Sequence, residues 1–232
     1  MRKISNKSMI AAVLMATMGT TSVFAVDKEF RDGYYFGGSL GKAISRTKPT
    51  GTVDILKKAN IFPNAGASFE IKYKNANLFG VFIGHKSGDM RYEIDYKSAR
   101  HKFSKLNEYL ANGVVQDVLW EEADITYHAL GGNVYKDFDV CSWASPYLGM
   151  GLGMARLKST VDELGPLNPK VSIKNTKPTA QLIAGARVPI TDGFHLAADY
   201  RYWSTLGKVG AIDKRFSNHS INLGFLFQPR FL

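Results

Sequence analysis

The sequence predicts an all-β fold. The expected architecture is a single eight-stranded antiparallel up-and-down barrel that crosses a membrane on its strands and carries four long loops on one side. Three observations predict it. Eight segments of about ten residues alternate between an apolar face and a face that is polar or glycine-rich. The connections between them run long, short, long, short, long, short, long. Beyond the first 25 residues, no apolar run approaches the roughly 20 residues a spanning helix requires.

The alternation can be followed in order. GYYFGGSLGKA (33–43) sets Phe36 and Leu40 on one face and Gly37, Ser39 and Gly41 on the other. NLFGVFIGHKSG (77–88) sets Phe79, Val81 and Ile83 against Gly80, Phe82 and Gly84. MRYEIDYK (90–97) sets Met90, Tyr92, Ile94 and Tyr96 against Arg91, Glu93, Asp95 and Lys97. ITYHALGGNVYKDF (125–138) is a weaker fourth segment. PYLGMGLGMARL (146–157) sets Leu148, Met150, Leu152 and Met154 against Gly149, Gly151 and Gly153. AQLIAGARVPI (180–190) sets Leu182 and Ala184 against Gln181, Ile183 and Arg187. FHLAADYRYW (194–203) sets Leu196, Tyr200 and Tyr202 against His195, Asp199 and Arg201. HSINLGFLFQ (219–228) sets Ile221, Leu223, Phe225 and Phe227 against Ser220, Asn222 and Leu226.

A soluble sandwich would give similar periodicity, but its solvent face has little use for so much glycine. A narrow lumen must mix small and large side chains to pack. Tyr34, Tyr35, Tyr96, Tyr127, Tyr147, Tyr200, Tyr202, Trp203 and Phe227 lie near segment ends and are expected in the aromatic girdles at the membrane interfaces. The long connections are expected at about 44–76, 98–124, 158–179 and 204–218, and the short ones at 86–89, 139–145 and 191–193. Small outer-membrane barrels pair short periplasmic turns with long extracellular loops. Within the loops, Phe103, Leu106 and Leu110 predict a short helix over 103–115, and SFEIKYK (68–74) predicts an extension of the second strand.

Residues 1–25 read as a cleavable signal peptide: Arg2, Lys3 and Lys7, then the apolar MIAAVLMATM, then Val23-Phe24-Ala25. The remainder, 26–232, forms the barrel domain. The chain has 30 Lys and Arg against 20 Asp and Glu. Residues 1–25 hold three of the bases and no acid, leaving 27 against 20, a net of +7. Such a balance invites nucleic acid, which export excludes as a partner. The single cysteine, Cys141, rules out an intramolecular disulfide framework.

GYYFGGSLGKA, SPYLGMGLGMA, LIAGARVPITDGF, AADYRYW and HSINLGFLF together resemble the surface-antigen family of small bacterial outer-membrane proteins, the opacity-type, OmpA-like eight-stranded barrels. The resemblance implies the barrel fold, outer-membrane residence in a Gram-negative bacterium, and a role as surface antigen or adhesin. One departure is the tail: Phe227 is followed by Gln228-Pro229-Arg230-Phe231-Leu232, where Pro229 cannot donate to a ladder.

Candidate chemistry is sparse. Gly149, Gly151 and Gly153 lack the spacing of a dinucleotide loop and read as lumen residues that make room for Phe82, Arg187 and Arg201. His219 and Ser220 are adjacent on a strand and face opposite sides, so they do not form a nucleophile–base pair. Neither a catalytic group, a metal set nor a cofactor is expected. Arg91, Glu93, Asp95, Arg187, Asp199 and Arg201 fall on the lumen face and are expected to form a salt-bridged plug, with Glu93 or Asp95 at ion-pair distance from a lumen base. The long connections with Arg156 carry 17 basic and 10 acidic residues. Lys57, Lys58, Lys170, Lys174, Lys208, Lys214 and Arg215 are the candidate binding residues, suited to anionic lipopolysaccharide, host-cell surfaces or serum proteins. The expected function is thus an outer-membrane surface antigen of adhesin type, monomeric and in contact with outer-membrane lipid. A narrow porin or purely structural barrel is the alternative, with a lipid-modifying enzyme further behind.

Overall fold

The structure, a computed structural model, describes residues 30–45, 50–51, 68–109, 115–118, 123–138, 140, 143–161, 171–209 and 215–229. Every regular element among them is a strand: β1 (Gly33–Ser45), β2 (Thr50–Gly51), β3 (Ser68–Tyr73), β4 (Ala76–Ser87), β5 (Met90–Tyr109), β6 (Val115–Val118), β7 (Ala123–Asp137), β8 (Ser145–Val161), β9 (Val171–Thr191), β10 (Phe194–Thr205) and β11 (Ser217–Phe227). Eight of them close a barrel in the order β1-β4-β5-β7-β8-β9-β10-β11, with β11 returning to β1. All pairings are antiparallel, and the seam aligns Phe36 with Phe227 and Leu40 with Leu223. The short strands β2, β3 and β6 extend the sheet beside β5.

The alternation decides which way each side chain points. Leu152 (68% exposed) and Leu223 (69%) stand on an outer apolar wall with Phe79, Ile94, Leu148 and Leu182. Their strand neighbours point into the barrel and are buried or half-buried. Closure leaves no unpaired edge, which is the condition for strands to stand in lipid. Two tight turns depend on glycine: Gly88 (φ 59°) ends the β4–β5 hairpin and Gly193 (φ 73°) ends β9–β10, both in the left-handed region. Pro189 sits where the β9–β10 register shifts, a place where a missing N–H is tolerated. At the turn end, Gln228 accepts from the Arg31 N–H at 3.0 Å and donates to the Arg31 carbonyl at 2.6 Å, fastening the two ends of the described barrel.

Three expectations about the strands, their connections and the girdle need correction. The 103–115 stretch does not start a helix: residues 103–109 continue β5, which pairs with β3 on one side and β6 on the other, Leu106 facing Val118. Sheet partners on both sides satisfy the backbone there and outweigh the helical spacing of the leucines. The second and third long connections are shorter than expected, because β5 runs to Tyr109 and β8–β9 pair as far as Val161 and Val171. Lys158, Lys174 and Lys177 therefore lie on strands. Third, the aromatic girdle splits by parity: Tyr34, Tyr96, Tyr200, Tyr202 and Phe227 are outside, whereas Tyr35, Tyr127, Tyr147 and Trp203 are buried inside. The 68–74 segment does extend the sheet, as β3.

The glycine face of β8 is filled by its neighbour β7. A Cβ on Gly149 would lie 2.5 Å from Tyr135, and one on Gly151 would collide with Asn133. The groups that occupy this space are Tyr135 and Asn133, not Phe82, Arg187 or Arg201; Phe82 packs instead against Gly37. A Cβ on Gly132 would meet nothing within 4 Å. Gly151→Val should therefore destabilise the barrel by about 1–3 kcal/mol or more through overpacking, whereas Gly132→Ala should be nearly neutral. Heat-modifiable gel mobility and urea unfolding in lipid vesicles would check the pair.

Candidate functional site

Two regions could carry function: the lumen and the loop-end rim. The inward positions of β5 set the lumen's layers. Arg91, Glu93, Asp95, Lys97, Ala99 and His101 succeed one another from the turn end upward.

At the turn end, Asp137 is the hub. It accepts from Arg91 Nε at 2.9 Å and from Arg187 Nη1 at 2.8 Å. Arg91 lies over the rings of Tyr135 (4.6 Å) and Tyr147 (4.7 Å), and Arg187 over that of Phe30 (4.0 Å). These stacks place the flat, weakly hydrated guanidinium faces against aromatic rings.

The middle layer holds three carboxylates. Glu93 makes no ion pair among the described residues. It accepts from Tyr135 Oη at 2.8 Å, Tyr35 Oη at 3.3 Å and Asn133 Nδ2 at 3.4 Å. Asp95 pairs with Lys97 at 2.7 Å and Arg201 at 3.3 Å, the contact expected for one of the two acids. Asp199 receives Arg201 in a two-point fork, both bonds at 2.8 Å, plus Asn222 Nδ2 at 2.8 Å and Tyr147 Oη at 3.2 Å. Lys97 also donates to Gln181 at 2.7 Å, and Gln181 donates to Asn133.

The buried lumen charges on these layers are Arg91, Lys97, Arg187 and Arg201 against Glu93, Asp95, Asp137 and Asp199, a formally neutral set. Several of the bonds join strands that are not neighbours: Arg201 on β10 to Asp95 on β5, Lys97 on β5 to Gln181 on β9. They cross the axis and occupy the path a conducting lumen would need.

Above the charges the lumen turns apolar. Ala99, Ile125, Leu157, Val209 and Phe216 cluster with Tyr127 and Trp203, whose rings stack at 5.0 Å. Phe216 and Val209 come from the described ends of the β10–β11 connection and turn inward over the lumen. The root of this connection is fixed by Thr205: the Thr205 N–H donates to the Phe216 carbonyl (2.9 Å), and the Phe216 N–H donates to Thr205 Oγ1 (3.0 Å). His101 is buried beside Tyr127 and Phe216, with its Nδ1 3.1 Å from the Lys74 carbonyl. Burial holds its imidazole below the ordinary histidine value, against the pull of the Lys74 carbonyl.

Of the candidate binding residues, Lys174 lies on β9, and Lys208 and Arg215 sit on the β10–β11 connection; all three are exposed. Lys57, Lys58, Lys170 and Lys214 lie outside the described residues, as do Cys141 and the last three residues of the tail. His219 faces outward, bonded to Tyr200 Oη, and Ser220 faces the lumen. Sequence reasoning missed Asp137, although the parity of Asn133 and Tyr135 reaches it. It placed Lys158 and Lys174 on a loop rather than on β8 and β9, because an all-polar stretch shows no alternation.

Known proteins agree with this geometry. The family of the outer membrane protein beta-barrel domain matches residues 11–228. The opacity protein opA65 of Neisseria gonorrhoeae is 23% identical over 183 residues, 64% of this chain and 76% of its own. The crystal structure of Neisserial surface protein A shares the fold, with a TM-score of 0.54 at 19% identity, covering 85% of this chain and 97% of that one.

Asp137→Ala should cost about 3–5 kcal/mol, since it leaves two buried guanidinium groups without their carboxylate. Lys136→Ala, which breaks only the exposed pair with Asp89 (3.3 Å), should cost less than about 1 kcal/mol. Urea titration in vesicles separates the two. For His101, the unfolded ring protonates near ~6.5 and the folded ring only at lower pH, so the unfolded state binds more protons in that window and stability falls as pH drops. Acidification from about pH 7.5 to 5.5 should speed opening of the Phe216 amide, corrected for intrinsic exchange, and His101→Phe should remove that dependence.

Proposed function

The chain belongs to the outer membrane protein β-barrel domain family, and from that membership we propose that it is a surface antigen that binds host components through its loops. It resides in the bacterial outer membrane as an eight-stranded barrel. In this reading residues 1–25 are the export signal, 26–232 form one barrel domain, and the protein acts as a monomer.

The length of the strands carries the reading. β5 has 20 residues and β9 has 21. A strand of that length rises about 70 Å along its axis, or about 50 Å along the normal at a tilt of about 40°, roughly twice the ~25 Å apolar band. The excess stands on the loop side, where β3 and β6 thicken it. A barrel meant only to span would not need such a raised platform. The raised strand ends and the loops together carry the excess of basic residues, which suits acidic host surfaces. Lys57, Lys58, Lys170, Lys174, Lys208, Lys214 and Arg215 are the proposed contacts.

Neisserial surface protein A, which shares the fold, is a surface protein by name, in keeping with the same reading. The alternative of a conducting pore has the axis-crossing bonds against it, and a lipid-modifying enzyme has the opposed facing of His219 and Ser220 against it.

Expression on a non-adherent bacterium should confer binding to host cells. Replacing residues 52–67, 110–114, 162–170 and 210–214 with short turns should abolish it while heat-modifiable mobility is retained. Binding equal to that of the empty host would refute the proposal.

A further inference from the structure

The outer wall carries a second charged feature that neither the lumen nor the loops account for. Arg100, Asp124, Thr126, His128, Arg156, Lys158, Thr160 and Lys174 line a concavity of about 600 Å³ on the outside of β5, β7, β8 and β9. The register arranges them in rows. Arg100, Thr126, Lys158 and Lys174 face one another across four strands, His128 faces Arg156 one row down, and Asp124 faces Thr160 one row up.

The charges are not balanced. Among the described residues Asp124 is the one carboxylate lining the concavity, and it is already taken by Arg100, whose Nε is 2.9 Å away. Lys158 and Lys174 are direct cross-strand partners, with Arg156 two residues from Lys158 on the same face. Like charges directly opposite on a sheet are destabilising. An anion set between them reverses the sign of that interaction.

The position of the concavity selects the anion. Immediately below the His128–Arg156 row comes Leu130 facing Met154, both exposed, and Leu152 below them on β8. Tyr96 Oη bonds His128 Nδ1 at 2.7 Å along this boundary, where an interfacial aromatic belongs. The concavity thus opens sideways, with bases above and an apolar wall below. A ligand with phosphate groups joined to acyl chains fits both halves. A soluble anion uses only the upper one.

We propose that Arg156, Lys158 and Lys174, with Thr126 and Thr160 as hydroxyl partners, form a binding site for the phosphate groups of a phosphorylated glycolipid of the outer leaflet, whose acyl chains lie along Leu130, Leu152 and Met154. Lys174 is shared with the proposed host contacts, but the tests are separate: the lipid titration contains no host material, and the loop replacements leave Lys174 in place, so either reading can fail without the other.

The test uses the full-length protein in nanodiscs of zwitterionic lipid, titrated with bisphosphorylated lipid A, with enzymatically dephosphorylated lipid A, and with a heparin hexasaccharide. Removing the phosphates should weaken binding to the wild type by about tenfold or more, the scale of one lost charge-assisted contact. Lys158→Gln/Lys174→Gln should weaken binding of the phosphorylated lipid to a similar extent, with heat-modifiable mobility unchanged. In the absence of lipid A the same double variant should be no less stable than the wild type, since it removes a like-charge pair. Equal affinity of the wild type for the two lipids overturns the proposal, and this comparison needs no variant. So does equal affinity of wild type and double variant. Hexasaccharide binding that matches the phosphorylated lipid and is lost in the double variant also overturns it, assigning the concavity to a soluble polyanion.

Discussion

The structure depends on the width of the lumen. Eight strands closed into a barrel leave an interior just wide enough to be filled by side chains. Whatever points inward must therefore fill space and, if charged, find its partner there. Arg91, Lys97, Arg187 and Arg201 are matched by four carboxylates because each unmatched charge in that space would cost several kcal/mol. The glycines of β8 follow from the same constraint. Tyr135 and Asn133 of β7 lie over Gly149 and Gly151, in space that any side chain would take. The polar and the smallest residues of the sequence thus answer one geometric demand.

The sealed interior bears on function through rigidity. Bonds such as Arg201–Asp95 and Lys97–Gln181 tie opposite walls together. The Tyr127–Trp203 stack and Phe216 then close the loop end. A frame braced in this way can hold long strands out of the membrane without bending. In the proposed role, specificity then resides in the loops, which can change without disturbing the bonds below them.

The fold was legible where one face of a strand differed sharply from the other. Ile94 against Asp95 or Leu152 against Gly151 leaves little choice of side, because a one-residue slip would put charge into lipid. Legibility failed where residue type and parity conflicted. Tyr35, Tyr127 and Tyr147 are tyrosines near strand ends, as a girdle requires, yet parity puts them inside, where their hydroxyls serve Glu93, Asn218 and Asp199. Tyrosine is amphipathic and tolerates either side, so only position in the alternation decides. It failed again where strands left the membrane. From Lys102 to Tyr109 and from Val171 to Lys177 no lipid imposes a pattern, and only pairing with a neighbour makes those residues strands. The outer-wall bases stand on such a stretch, which is why Lys158 and Lys174 read as loop residues in one dimension.

The bond pair between Gln228 and Arg31 joins residues 197 apart in sequence, across the seam where the last strand meets the first. Every other strand lies between them in the ladder. A slip of one residue in the β11–β1 pairing would turn Gln228 away from Arg31. A slip of two would carry it about 7 Å away, beyond hydrogen-bond reach. The pair can therefore form only when the seam closes in its correct register. It works as a checksum on closure, read out at the end where the chain arrives last.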